Sequence, residues 1–115
     1  MSRHDIRITL TQMLSHAEEA IQYAEGKTRE TLDSDRVLGF ALVRLIEIVG
    51  EAATRIPADR REAWIRIPWT AIIGTRNQLA HGYDSINFDI VWKIIQQELP
   101  VLARELKLLL ASDDL

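Results

Sequence analysis

Arg76, His81 and Tyr83 fall within eight residues of one another, in the segment RNQLAHGYD at 76–84, in a chain with only three histidines. Each brings a different competence. Histidine exchanges protons near neutral pH. Arginine stays charged, and its planar fork matches phosphate oxygens. Tyrosine offers a hydroxyl that can orient a substrate or itself be modified. Together they suit cleavage of an RNA phosphodiester without a metal. His81 would be the acid and base, and Arg76 would stabilise charge building on the phosphorus in the transition state. Five residues at about 100° each set Arg76 and His81 roughly 140° apart around a helix, so they share no strict stripe. If a helix ends near His81, the long Arg76 side chain reaches toward that last turn. The negative end of the helix dipole there favours charged histidine. By spacing alone, a structural reading stands beside the chemical one: His81 hydrogen-bonded to a neighbour, Tyr83 packed on the core.

A second set of polar residues lies upstream. Arg44, Glu47, Glu51 and Arg55 step by three, four and four, one charged stripe on an otherwise apolar helix. Arg44–Glu47 and Glu51–Arg55 have the spacing of helical ion pairs. The stripe is either a solvated face with weak pairs or a polar wall whose Glu47 or Glu51 positions Arg76. His4 and His16 lack partners at metal-ligand spacing and read as surface residues. Trp64, Trp69 and Trp92 read as core or interface anchors, since each buries a large area. Nucleotide-binding glycine loops and the G-x-S-x-G elbow are absent from the sequence.

Helical spacing pervades the chain, and sustained period-2 alternation is missing. A first helix is expected over 5–25, with Ile6, Leu10, Met13, Leu14, Ala17, Ala20, Ile21 and Ala24 as its apolar stripe. Gly26 is its stop. A second is expected over 35–56, capped by Asp33 or Ser34 and ended by Pro57. Its apolar residues cover more than one face, as in a helix central to a bundle or shared with another subunit. PADRREAW at 57–64 forms a further helical turn. Pro68 opens a third helix, Trp69 to His81, with Gly82 as its cap. A fourth runs over 88–111 with Asn87 as N-cap, kinked at Pro100, which removes a hydrogen bond and crowds the previous turn. The terminal SDDL is polar and expected to fray. The sum is an all-α, up-down four-helix bundle over residues 1–115, one domain.

Composition narrows the class. The chain has 115 residues, 47% apolar and 27% charged, and no cysteine. A disulfide scaffold and a thiolate metal site are excluded, and a reducing cytoplasm suits the chain. The N-terminus MSRHDIRITL is too charged for a signal peptide. The apolar-rich stretch 37–49 is too short and too charged to span a bilayer. A net charge of −3 is unlike a duplex-binding module. Contact with RNA must therefore use a local patch or positive groups pooled across an oligomer.

The segments RLIEIVGEAATRIP, IPWTAIIGTRNQLAHGYDSINFDIVWKII and LPVL, in that order over 44–102, resemble the HepT-like branch of the HEPN domain superfamily. The R-x4-H-x-Y motif reads as Arg76, His81 and Tyr83, with Asn77 after the arginine. The resemblance implies a HEPN-like bundle acting as the toxin of a type VII toxin–antitoxin pair. It implies a metal-independent ribonuclease with no cofactor of its own, a homodimer whose two motifs meet in a cleft between subunits. The implied antitoxin is an MntA-type nucleotidyltransferase that uses ATP and Mg²⁺ to attach AMP to the motif tyrosine, here Tyr83. Bulky, charged AMP would block the cleft and repel an RNA phosphate. A two-fold axis would also pool positive charge. Two other readings stay open from the residues: a non-catalytic subunit that presents nucleotide or substrate to a nucleotidyltransferase, and a plain dimeric scaffold.

Overall fold

A computed structural model of the chain describes residues 1–79, 86–113 and 115, and only the backbone of Arg76 and Asn77. Every regular element among them is helical. Helix α1 spans Arg3–Ala24. It begins two residues earlier than expected because Ser2 and Asp5 form a reciprocal capping box, which satisfies two otherwise free donors. The Ser2 hydroxyl and backbone N–H hold the Asp5 carboxyl below its ordinary range. Gly26 takes φ +76°, the left-handed conformation glycine reaches without steric cost, and so ends the helix as expected.

A four-residue helix, α2 (Thr31–Ser34), precedes α3 (Arg36–Thr54). It corrects the expected cap. Asp33 and Ser34 belong to α2, and the Asp35 side chain accepts from Leu38 N at 3.0 Å. Next come α4 (Ala58–Ala63) and α5 (Trp69–Leu79), then α6 (Phe88–Lys93), a π-helical turn (Ile94–Glu98) and α7 (Leu99–Ala111). The last three of these lie where a single helix was expected over 88–111. Pro100 has no N–H to give the Gln96 carbonyl, and its ring crowds that carbonyl. The backbone answers one turn earlier, widening into a π turn. Pro100 then sits in the first turn of α7, where its missing donor costs little.

Helix α3 is central. It packs on α1 and α5, and α1 packs on α7. Ile6, Leu10, Met13, Ala17 and Ala20 of α1 are buried, as are Leu42, Leu45, Ile46, Val49, Ala52 and Ala53 of α3. The apolar surplus noted in the sequence is thus partly absorbed by two neighbours. Val37 and Phe40 are left over, 81% and 48% exposed. The C-terminal end departs from the expected fraying: Leu115 is buried in the core cluster. Trp69 is buried, and Trp64 and Trp92 pack half-buried against the core. His4 is exposed; His16 is half-buried, and its Nδ1 lies 2.7 Å from the Gln12 carbonyl.

Candidate active site

The motif begins on α5 and continues into the segment before α6. The backbone of Arg76 and Asn77 lies in the last turn of the described α5. The side chains of Arg76 and Asn77, and the residues His81, Gly82 and Tyr83, lie outside the described residues, as does the expected helix end at His81–Gly82. What the structure defines is the frame that holds both ends of this segment.

On the entry side, α5 presents Trp69, Ile72, Thr75 and Leu79 to the core, all buried. Positions 69, 72, 75 and 79 are one face at helical spacing. The buried Thr75 hydroxyl donates to Ile72 O at 2.6 Å, so its burial leaves no unpaired polar group. The Trp69 indole N–H donates to Trp64 O at 3.0 Å. That bond ties the start of α5 to the connection before it.

On the exit side, three contacts fix where the chain leaves the motif segment. The Asn87 side chain accepts from Asp89 N and Ile90 N at 3.0 and 3.4 Å, capping α6 as the sequence indicates. The Phe88 ring lies against Gly39, so closely that a Cβ there would stand 2.8 Å from Phe88 Cε1 and 3.0 Å from Cζ. Arg29 Nε meets Asp89 at 2.6 Å and its Nη1 meets Asp33 at 3.0 Å. Hydrogen bonds to Asp33 and then Asp89 raise the guanidinium's pKa above its ordinary value. The sequence reading found Asn87 but missed Arg29, Gly39 and Phe88. Their partners lie 60 and 49 positions away in the chain, beyond the reach of any local pattern.

The charged stripe on α3 behaves differently from its spacing. Arg44, Glu51 and Arg55 are exposed and Glu47 is half-buried. Among the described residues neither the Arg44–Glu47 nor the Glu51–Arg55 pair forms an ion pair. Long exposed side chains lose rotamer freedom on pairing and gain little in water. A role for Glu47 or Glu51 beside Arg76 depends on a side chain outside the described set. A surface groove of about 740 Å³ runs between α1 and α7 and includes Glu18, Pro100 and Lys107. It borrows nothing from α5. Among the described residues no helix is long and apolar enough to cross a membrane.

A family model described as HepT-like, ribonuclease HepT-like, matches residues 13–109, a span that contains the whole motif segment. A protein of Caldanaerobacter subterraneus subsp. tengcongensis is 36% identical over 104 residues, 90% of this chain and 93% of that one. One from Methanocaldococcus jannaschii is 30% identical over 108 residues, 94% of this chain and 99% of that one. Both carry the name "Putative RNase". A protein of Thermococcus cleftensis named "Probable ribonuclease HepT" is 34% identical over 88 residues, 73% of this chain and 80% of that one. No solved structure matches the chain.

Proposed function

The chain belongs to the HepT-like ribonuclease family, and on that premise we propose that it is the toxin of a type VII toxin–antitoxin pair, cutting RNA with Arg76 and His81. The observation that carries the reading is the family match across 13–109, a span within which Arg76, His81 and Tyr83 fall. In the proposed reaction His81 takes the proton of a ribose 2′-hydroxyl as that oxygen attacks the adjacent phosphorus. The phosphorus–O5′ bond breaks. A proton passes to O5′, leaving a 2′,3′-cyclic phosphate and a 5′-hydroxyl. Arg76 offsets the charge that builds on the non-bridging oxygens. No step calls for a metal. Asn77 and Gly82 are supporting residues in this reading, and Glu47 or Glu51 orients Arg76.

Two copies of the motif meeting across a homodimer cleft would pool the positive charge that one chain lacks. The exposed Val37 and Phe40 on α3 support a second copy on that helix, since large exposed side chains on one face favour association. Regulation falls to Tyr83. Its oxygen would attack the α-phosphorus of ATP held with Mg²⁺ by a partner nucleotidyltransferase, releasing pyrophosphate. The added AMP places a bulky anion where the RNA phosphate must sit.

The test is cleavage of single-stranded RNA by purified protein in EDTA, wild type against His81→Ala. Wild type should cut and the variant should not. Full cutting by His81→Ala would sink the assignment. A wild-type chain that cuts no RNA but still docks a nucleotidyltransferase would make it the non-catalytic partner subunit instead.

A further inference from the structure

The chain carries a net charge of −3, yet that charge is unevenly divided. Residues 36–76 hold seven of the 14 basic residues and only four of the 17 carboxylates (Glu47, Glu51, Asp59 and Glu62), a balance of +3. The remaining positions hold seven basic residues and 13 carboxylates, a balance of −6. Residues 36–76 are α3, α4 and most of α5; α5 packs on α3, and α3 also packs on α1, which packs on α7. The positive segment is the one that carries Arg76.

Within it, the connection between α3 and α5 concentrates four arginines. Arg55 and Arg66 are exposed, Arg60 and Arg61 half-exposed. None of them is in an ion pair among the described residues, although Asp59 and Glu62 lie on the same short helix. Arg60 lies over the Trp64 ring, 6.0 Å from its centroid. Arg61 donates from Nε to Ile56 O at 3.0 Å, which fixes its stem; among the described residues its outer nitrogens have no ion-pair partner. Beside them Ile65 is 81% exposed. Arginines spared from pairing, pre-ordered by a ring and a carbonyl, are suited to phosphate: the planar fork gives up less freedom on binding than a loose chain would.

We infer that Arg55, Arg60, Arg61 and Arg66 form a phosphate-binding surface for single-stranded RNA that leads along α5 to the motif. This rests on the ribonuclease reading. The Trp69–Trp64 bond joins the surface directly to α5. From Trp69 to Arg76 is seven residues of helix, about 10 Å at 1.5 Å each, a span of a few nucleotides. The surface explains how an acidic protein attracts a polyanion: the field near the site is set by local charge, not by the total. Each phosphate contact by a single strand contributes about 0.7 to the salt dependence of binding.

The test is fluorescence anisotropy with a labelled 2′-O-methyl RNA, which keeps the phosphates and lacks the attacking hydroxyl. The full chain is compared with the triple variant Arg55→Gln, Arg60→Gln, Arg66→Gln. A control removes equal charge from the other half, with Arg3→Gln, Lys27→Gln and Arg104→Gln. Circular dichroism checks that all three are folded. The first triple should weaken binding at least ten-fold at low salt and lower the slope of log K against log salt by about 2. The control should change neither by half as much. Equal losses from the two triples would overturn the surface, as total charge would then be what matters. Unchanged RNA binding by the first triple would also overturn it. The two readings fail separately: a triple variant that binds and cuts like wild type overturns the surface alone, and a wild type that binds here but cuts no natural RNA overturns the cleavage alone.

Discussion

Replacing Gly39 with alanine sets two effects of known size against each other. Gly39 lies in the second turn of α3, where alanine is favoured over glycine by about 1 kcal/mol. The new methyl, however, would stand 2.8 Å from Phe88 Cε1 and 3.0 Å from Cζ. Carbon atoms are comfortable at about 3.5–4.0 Å, so the ring must retreat by roughly 0.7 Å. It is poorly placed to do so. Asn87 caps the helix on one side of it and Arg29 grips Asp89 on the other. Overpacking of this kind costs about 1–3 kcal/mol, so Gly39→Ala should be neutral to about 2 kcal/mol destabilising. With Phe88→Ala the ring is gone and the same substitution should stabilise by about 1 kcal/mol. The sign reversal isolates the contact from the helix preference, as a double-mutant cycle does. Urea unfolding followed by far-ultraviolet circular dichroism measures it, at one protein concentration for all four chains because self-association would shift the midpoints. If Gly39→Ala stabilised by the same amount in both backgrounds, Phe88 would not be seated on Gly39. The anchor on the exit side of the motif would then be lost from the argument.

Three other perturbations probe the same frame. Asn87→Ala removes the cap of α6 and should cost about 1 kcal/mol in urea unfolding; Asn87→Asp, which keeps an acceptor, should recover most of it. Trp69→Phe removes one of two donors to the Trp64 carbonyl, which keeps the Ile67 N–H at 3.2 Å, and should cost about 1 kcal/mol, with the loss read as a lower thermal midpoint. The capping box of α1 should show in the pH dependence of stability. The folded Asp5 carboxyl sits below its ordinary value because Ser2 donates to it. Its contribution is therefore present above the unfolded carboxyl's pKa and is lost as pH falls through the lowered folded value. Ser2→Ala and wild type should differ more near neutral pH than in acid, where only the non-titrating bond from Asp5 N to the Ser2 hydroxyl remains; a difference independent of pH would count against the hydroxyl's hold on the carboxylate.

Sequence alone carried the helical class, the order of the helices and most of their ends. Those features are local. The step of three and four in Ile6, Leu10, Met13 and Ala17 puts one apolar face on α1 whatever packs against it, and Gly26 and Asn87 act on backbone groups within three residues of themselves. The motif was legible for a different reason: Arg76, His81 and Tyr83 are close in the chain, and the segments around them resemble a known family. Local reasoning faltered where two nearby solutions compete. Asp33, Ser34 and Asp35 all suit an N-cap, and only the presence of α2 decides for Asp35. Pro100 announces a distortion, but the π turn that relieves it falls on residues 94–98, whose own types give no sign. Tertiary structure alone decided the rest. Phe88 finds Gly39 and Arg29 finds Asp89 across dozens of residues, and among the described residues the spacing of Arg44 with Glu47 yields no ion pair. The sorting of an acidic chain into a positive half and a negative half is written in residue order. It acquires physical meaning only in the fold, where α5 packs on α3 and the Trp69–Trp64 bond holds the arginine-bearing connection against the start of the helix that carries Arg76.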